Sequence, residues 1–234
     1  MVPGSVFEVG WVMHFQVEDL VSDQELEQLQ TRLVSLDDSA WLPGSQTAGS
    51  YAKQVKNNWQ LDKQHPDFEA LADLVLTALD GHPLFRAASI PLKIHSLLFS
   101  RCGVGEGYGR HVDNPFMPGG RTDLSFTLFL SHLDAYSGGG LTLELPQGED
   151  TLRLPAGSAI VYPSGYLHRV EPVTAGVRYV AVGWVQSAVR SSEQRELLFE
   201  LETACKALAA SHGRSDALDL LYRCHTNLMR MWAG

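Results

Sequence analysis

Leucines at positions 26, 29, 33 and 36 recur every three or four residues, the spacing that gathers side chains on one helical face. Ser22 and Glu25 stand just ahead of them in the arrangement of a capping box, and together they predict a helix over residues 19–36. Phe68, Leu71, Leu74, Val75 and Leu79 repeat the pattern and predict a second helix over 67–80. Between them lie a predicted loop, Trp41-Leu42-Pro43-Gly44, and the polar run Gln54-Val55-Lys56-Asn57-Asn58.

From residue 91 to 187 the period shortens to two. Lys93–Arg101 reads as a strand, and Thr122–Ser131 sets Leu124, Phe126, Leu128 and Leu130 on one face with Ser125 and Thr127 on the other. Further strands are expected at Leu141–Leu145, Thr151–Leu154, Ser158–Tyr162 and Val177–Gln186. Turns fall at Gly138-Gly139-Gly140, Gln147-Gly148 and Pro155-Ala156-Gly157. Many short strands at close spacing predict a sandwich or barrel, of which a double-sheet jelly roll is one solution. Beyond Ser187 the helical period returns. Ser191 and Gln194 start a helix with Leu197, Leu198, Leu201, Ala204 and Leu208, His212-Gly213 breaks it, and a last helix over Asp216–Trp232 carries Leu218, Leu221, Leu228 and Met231. The predicted class is α+β: N-terminal helices, a jelly-roll core, and a C-terminal helical hairpin over 188–234. Structure is expected to begin at Met13, with residues 1–12 a ragged leader or an over-called start and residues 13–187 one domain.

Composition narrows the function. A hydrophobic content of 44% with 19% charged residues is that of an ordinary globule with a full core. No apolar run approaches the roughly 20 residues that span a bilayer, and the first residues lack the basic and apolar regions of a signal peptide. The net charge of −9 is spread along the chain, which argues against a basic nucleic-acid surface. Cys102, Cys205 and Cys224 form no CxxC and no paired framework, the usage expected of a reducing cytoplasm.

Chemistry concentrates late in the chain. On a strand, His111 and Asp113 would leave the same face and reach one point; alone, a His-x-Asp triplet is also an ordinary turn or strand end. His168 follows after 54 intervening residues, room for roughly four strands, enough to bring the chain back beside His111. Two histidines and a carboxylate make one face of an octahedron with three open positions, the set that suits a non-haem Fe(II) oxygenase. Arg178 alternates with Val180 and Val182 on a strand whose other face, Val177, Tyr179 and Ala181, is also apolar. A guanidinium enclosed that way needs an anion. The distal carboxylate of 2-oxoglutarate is one candidate and a structural bridge to Asp123 the other; beside the metal triad the cosubstrate is favoured.

These segments resemble the bacterial PKHD-type hydroxylases, relatives of prolyl 4-hydroxylase among the Fe(II)/2-oxoglutarate dioxygenases. The resemblance is carried by Tyr108-Gly109-Arg110-His111-Val112-Asp113, Arg121-Thr122-Asp123-Leu124-Ser125, Leu154-Pro155-Ala156-Gly157, Tyr162-Pro163-Ser164 and His168 through Arg178. It extends to residues 54–58, to Trp184-Val185-Gln186-Ser187 and into the C-terminal helices. It implies a double-stranded β-helix core, Fe(II) on His111, Asp113 and His168, 2-oxoglutarate on Arg178, and L-ascorbate as reductant. The reaction implied is hydroxylation of a C–H bond coupled to decarboxylation of 2-oxoglutarate. Two positions depart from the family: Cys102 stands where a tyrosine is usual, and Gly140 where a Gly-Gly-Glu turn is usual.

Other residues carry weaker signals. Tyr108 is similar to a family tyrosine near the cosubstrate, with simple aromatic packing as its bland reading. Thr127 would bond the same carboxylate or its own backbone. Lys56, Asn57 and Asn58 read as a substrate rim or as a solvated turn. The remaining histidines lack ligand spacing, Ser164-Gly165 lacks a nucleophile elbow, and the glycine triplet lacks a P-loop lysine. A zinc hydrolase would require Glu106 as general base; a silent metal-binding jelly roll is the other rival. The resemblance implies a prolyl residue or an iron-uptake-related small molecule as substrate, and an amino-acid-like small molecule is equally admitted. The C-terminal leucines serve either the core or a homodimer.

Overall fold

The computed structural model of the chain describes residues 14–47 and 52–234; the leader expected over residues 1–12 lies outside them. Its elements begin β1 (Phe15–Val17), α1 (Asp23–Ser35), β2 (Trp41–Pro43), β3 (Lys56–Asn57), β4 (Trp59–Leu61), α2 (Asp67–Gly81), α3 (Pro83–Ser89), β5 (Pro91–Cys102) and β6 (Gly107–His111). The β core continues with β7 (Phe116–Met117), β8 (Gly120–Arg121), β9 (Leu124–Phe129), β10 (Tyr136–Gly138), β11 (Leu141–Leu145), β12 (Gly148–Leu152) and β13 (Ala159–Pro163). It closes with β14 (His168–Val170), β15 (Val173–Gly176) and β16 (Arg178–Ser187), before α4 (Ser192–His212) and α5 (Asp216–Trp232).

Seven strands form one sheet in the order β1-β13-β9-β16-β5-β4-β2, and five form a second in the order β12-β11-β14-β6-β3. The partners named in both sheets run antiparallel. Both faces of the large sheet are buried, and period-two alternation gives each its own partner. Phe126 and Leu128 of β9, Phe99 of β5 and Ala181 of β16 pack with Leu29 and Leu33 of α1 and Leu71 and Val75 of α2. Phe126 meets Phe85 of α3 edge-on with ring centroids 6.4 Å apart, inside the spread of about 4.5–7 Å usual for aromatic pairs. On the opposite face Phe129, Ile160, Tyr162 and Val180 meet Leu141, Leu143 and Leu152 of the smaller sheet. This second core lies between the two sheets.

Local chemistry explains the helices. Ser22 accepts from the Glu25 amide while the Glu25 carboxylate accepts from the Ser22 amide, so the expected capping box is present. α1 therefore starts at Asp23 rather than residue 19. α2 buries Phe68, Leu71, Val75 and Leu79 as its pattern predicts.

Several expectations need correction. Trp41–Pro43 is not loop but strand β2, paired with β4. It is the sheet's edge, where a proline costs no ladder hydrogen bond. Trp41 is buried beneath the Arg101 guanidinium, 4.8 Å from its ring centroid. Helix α3 was not anticipated; it starts on Pro83 and ends on Ile90 at φ 45, a left-handed cap without the glycine that usually signals one. The strand expected at Thr151–Leu154 lies at Gly148–Leu152. In α4, Leu198 and Cys205 are buried, whereas Leu197 and Leu208 are exposed and Ala204 faces solvent with them.

Phe126→Ala should lower unfolding free energy by about 3–5 kcal/mol, whereas Ser22→Ala should lower it by only about 1 kcal/mol. Urea midpoints with unchanged slopes would register the difference. Equal losses would mean that the helix layer is not held by its apolar face.

Candidate metal centre and its cavity

His111 ends β6 and His168 begins β14, and the two are direct cross-strand partners. Asp113 lies just past the end of β6, not within the strand, so the turn after His111 brings the carboxylate round. Seven short strands, rather than about four, separate Asp113 from His168. The outcome is the expected convergence: one ligand atom from each residue lies within 4.8 Å of the others. His111 Nε2 is 3.9 Å from Asp113 Oδ1, and His168 Nε2 is 4.0 Å from Asp113 Oδ2.

Both imidazoles are fixed from behind. His111 Nδ1 lies 2.8 Å from the Gly109 carbonyl and His168 Nδ1 2.9 Å from the Tyr166 carbonyl. A carbonyl only accepts, so each Nδ1 donates and each Nε2 keeps its lone pair toward Asp113. Burial, and then the neighbouring His168, push the His111 pKa down to about 4. The ring is therefore neutral at neutral pH, the form a metal requires. Asp113 Oδ2 in turn accepts from Ser125 Oγ at 2.6 Å and from Trp184 Nε1 at 2.9 Å. Ser125 is itself 2.7 Å from Ser164 Oγ. Donor set, tautomers and carboxylate orientation all suit a divalent metal.

A cavity of about 400 Å³ opens from this triad between the sheets. Arg178, Val180, Val182 and Trp184 line it from alternate positions of β16, as the expected parity requires. Arg178 is 2% exposed, and its Nε and Nη2 have no hydrogen-bond partner among the described residues. The bridge to Asp123 does not form: Asp123 pairs with Arg121 at 3.2 Å and accepts from the Ser187 amide. Burial lowers the Arg178 pKa, opposed by Cys102 and Tyr136. Phe129 packs 5.3 Å from the guanidinium, and the tight Gly139 turn (φ 63) leaves room for its stem, since a Cβ there would sit 2.9 Å from Arg178 Cδ. Two buried N–H groups without acceptors fit the carboxylate of a cosubstrate.

The remaining predicted residues divide. Tyr108 lines the cavity and stacks on His111 with centroids 3.5 Å apart. Thr127 is buried on the same wall. Lys56 and Asn58 line the cavity, whereas Asn57 is exposed and reaches the Gly105 carbonyl at 3.4 Å. Glu106 does not line the cavity; it is held by Trp59 Nε1 at 2.8 Å and the Gly103 amide at 2.7 Å. Sequence reasoning gave no role to Ser125 or Trp184, although strand parity already set Trp184 on the Arg178 face. It also passed over Tyr136, whose buried ring and hydroxyl lie beside the Arg178 guanidinium and favour its charged form.

Residues 97–186 match the 2OG-Fe(II) oxygenase superfamily, and residues 193–234 match the PKHD-type hydroxylase C-terminal domain. A PKHD-type hydroxylase of Synechococcus sp. (strain CC9902) is 47% identical over 95% of this chain and 100% of its own. The chain belongs to the PKHD-type hydroxylase family. Another PKHD-type hydroxylase, from Acaryochloris marina (strain MBIC 11017), is 49% identical over 94% of this chain and 100% of its own. Among solved structures, a Pseudomonas putida prolyl-4-hydroxylase superposes with a TM-score of 0.53 at 20% identity, covering 75% of this chain and 92% of that one, a likeness of fold. This PKHD-type hydroxylase is therefore an oxidoreductase whose family implies Fe(II) and 2-oxoglutarate, built on the expected jelly roll. Among the described residues no helix is long and apolar enough to cross a membrane.

Ser125→Ala and Trp184→Phe each remove a hydrogen bond to Asp113. Each should weaken divalent-metal binding by about 10–100-fold without unfolding the protein, as anaerobic titration of the metal-free protein would measure. Unchanged affinity would show that the backbone alone orients Asp113.

Proposed function

We propose that His111, Asp113 and His168 hold Fe(II) and that Arg178 anchors the distal carboxylate of 2-oxoglutarate, with Thr127 and Tyr108 beside it. The enzyme then hydroxylates an unactivated C–H bond. The observation that carries this is the buried Arg178, whose unpartnered N–H groups share one cavity with the triad. When bound, iron and 2-oxoglutarate supply dioxygen activation, with the cosubstrate released as succinate and carbon dioxide. The chain's own residues do the positioning. His111 and His168 present neutral Nε2 atoms, Ser125 and Trp184 hold the Asp113 carboxylate, and the apolar wall of Val180 and Val182 keeps water from the reacting centre.

The substrate is proposed to be a prolyl residue of a peptide, an amino-acid-like molecule or an iron-uptake-related small molecule, docking past Lys56, Asn57 and Asn58. By family resemblance L-ascorbate keeps the iron ferrous. Free Cys102, Cys205 and Cys224 support a cytoplasmic setting. We divide the chain into a dioxygenase domain over 13–187 and a C-terminal hairpin over 188–234. Leu197, Leu208, Leu220 and Met231, exposed on that hairpin, support a homodimer through it. A zinc hydrolase is disfavoured because Glu106, its required base, is held outside the cavity.

Anaerobic addition of Fe(II) and 2-oxoglutarate should produce a weak visible charge-transfer band, and admission of air should yield succinate. His111→Ala should abolish the band, and Arg178→Ala should raise the 2-oxoglutarate requirement by at least about tenfold. Metal binding without the band would make Arg178 structural and return the silent jelly roll to consideration.

A further inference from the structure

The walls of the cavity carry more positive charge than the metal and cosubstrate account for. Among its lining residues Lys56, Lys63 and Arg178 are cationic, and Asp113 is the single carboxylate. This leaves an excess of two positive charges in a protein whose net charge is −9. A divalent metal on the triad adds two more, and a dianionic cosubstrate removes two. The excess remains, carried by Lys56 and Lys63.

The wall around Lys56 is polar: Lys56, Asn58 and Gln60 line the cavity at alternate positions of the 56–61 stretch. Asn58 donates from Nδ2 to Ser100 Oγ at 2.6 Å and keeps a buried acceptor, Oδ1, unmet, so the donors left for an anion are Lys56 and Gln60. Lys56 Nζ donates to Thr47 Oγ1 at 3.3 Å, and Thr47 Oγ1 donates to Gln60 Oε1 at 2.5 Å. The Gln60 amide is thereby oriented with its oxygen occupied. Its Nε2 is left buried without an acceptor, on a side chain 3% exposed. No carboxylate among the described residues lies within ion-pair distance of the half-buried Lys56. Its ammonium lies 5.0 Å above the Tyr108 ring, which stacks on His111, so this donor group borders the metal centre. Burial pushes the Lys56 pKa down to about 8, leaving it charged at neutral pH. Across the mouth, Phe116 (69% exposed), Met117 and Val112 offer apolar surface.

We infer that the hydroxylated substrate is an organic anion whose carboxylate docks on Lys56 and Gln60 while its apolar carbon skeleton lies against Phe116 and Met117. The inference rests on the proposed Fe(II)/2-oxoglutarate reading and adds the substrate's charge to it. Such a substrate is recognised through one anionic end and oxidised a few carbons away, since Lys56 and the triad line one cavity.

The test uses three probes with one skeleton: hexanoate, hexanamide and hexylamine. Each is titrated calorimetrically into the full-length protein loaded with Mn(II) and 2-oxoglutarate, which binds without turning over. Hexanoate should bind at least about tenfold more tightly than hexanamide, and hexylamine should not bind. Lys56→Gln should bring hexanoate and hexanamide within about twofold of each other, and Lys56→Arg should restore the preference. Three results overturn the inference: no preference for hexanoate, a preference that survives Lys56→Gln, or hexanoate competing with 2-oxoglutarate and so occupying the Arg178 subsite. Absence of the Fe(II)·2-oxoglutarate absorption band in the unaltered protein would instead sink the underlying reading, so the two failures are distinguishable.

Discussion

The large sheet is enclosed on both faces, by α1 and α2 on one side and by the smaller sheet on the other, and strand parity therefore sorts its chemistry. Ala181 and Val185 of β16 belong to the helix-side core, while Arg178, Val180, Val182 and Trp184 face the cavity. β9 divides in the same way, with Phe126 and Leu128 toward the helices and Ser125 and Thr127 toward the site. A slip of one residue would turn Arg178 into the apolar layer and withdraw Trp184 from Asp113. Exchanging the apolar and polar faces of β9 and β16 would put Ser125, Thr127 and Arg178 against the helices and Phe126, Leu128 and Ala181 in the cavity, which opposes any such slip. Helix packing and site assembly are thus one constraint expressed on two faces.

The centre itself is shared between the sheets. The smaller sheet contributes His111 and His168 as cross-strand partners, and the large sheet contributes Ser125 and Trp184, which grip the Asp113 carboxylate. Leu141, Tyr162 and Val180 belong both to the core between the sheets and to the cavity lining, so the cavity opens directly off that core. Toward the triad the same space carries polar side chains. The β5 bulge at Ser96, with φ 57, lines this space. It lets His95 reach the Arg121 carbonyl at 2.8 Å and so prop the β7–β8 hairpin over the mouth. A strained non-glycine residue beside a binding cavity is an expected place for strain to be retained.

Much of this was legible in the sequence because it depends on local period. The α1 capping box, the α2 face, the alternation of β9 and β16 and the order His111, Asp113, His168, Arg178 needed no knowledge of distant partners. What escaped depends on tertiary context. Trp41–Pro43 becomes a strand only because β4 offers it an edge, and α3 ends in a left-handed Ile90 that carries no sequence signal. The leucines of α4 fell in an arc too wide to be covered by the core, so which of them is buried was decided by packing. Tyr136 could not be placed beside Arg178 from spacing, since β10 and β16 are not neighbours in either sheet. The choice between Asp123 and an external anion for Arg178 was likewise open in the sequence; it turned on Arg121 and the Ser187 amide already occupying Asp123.

The distribution of unmet hydrogen bonds gives the architecture its direction. Buried polar groups in folded proteins are nearly always paired, so an orphan is informative. On the walls of the cavity Arg178 Nε and Nη2 and Gln60 Nε2 are unmet donors, and Asn58 Oδ1 is the one unmet acceptor beside them among the described residues. Donors and cations held there without protein partners cost stability. Any anion that satisfies them binds the native state alone and stabilises it by mass action. Free energy withheld from stability at these groups is available for binding. That trade is favourable because the helix-side core, built from the opposite face of the same strands, supplies the stability that the site withholds.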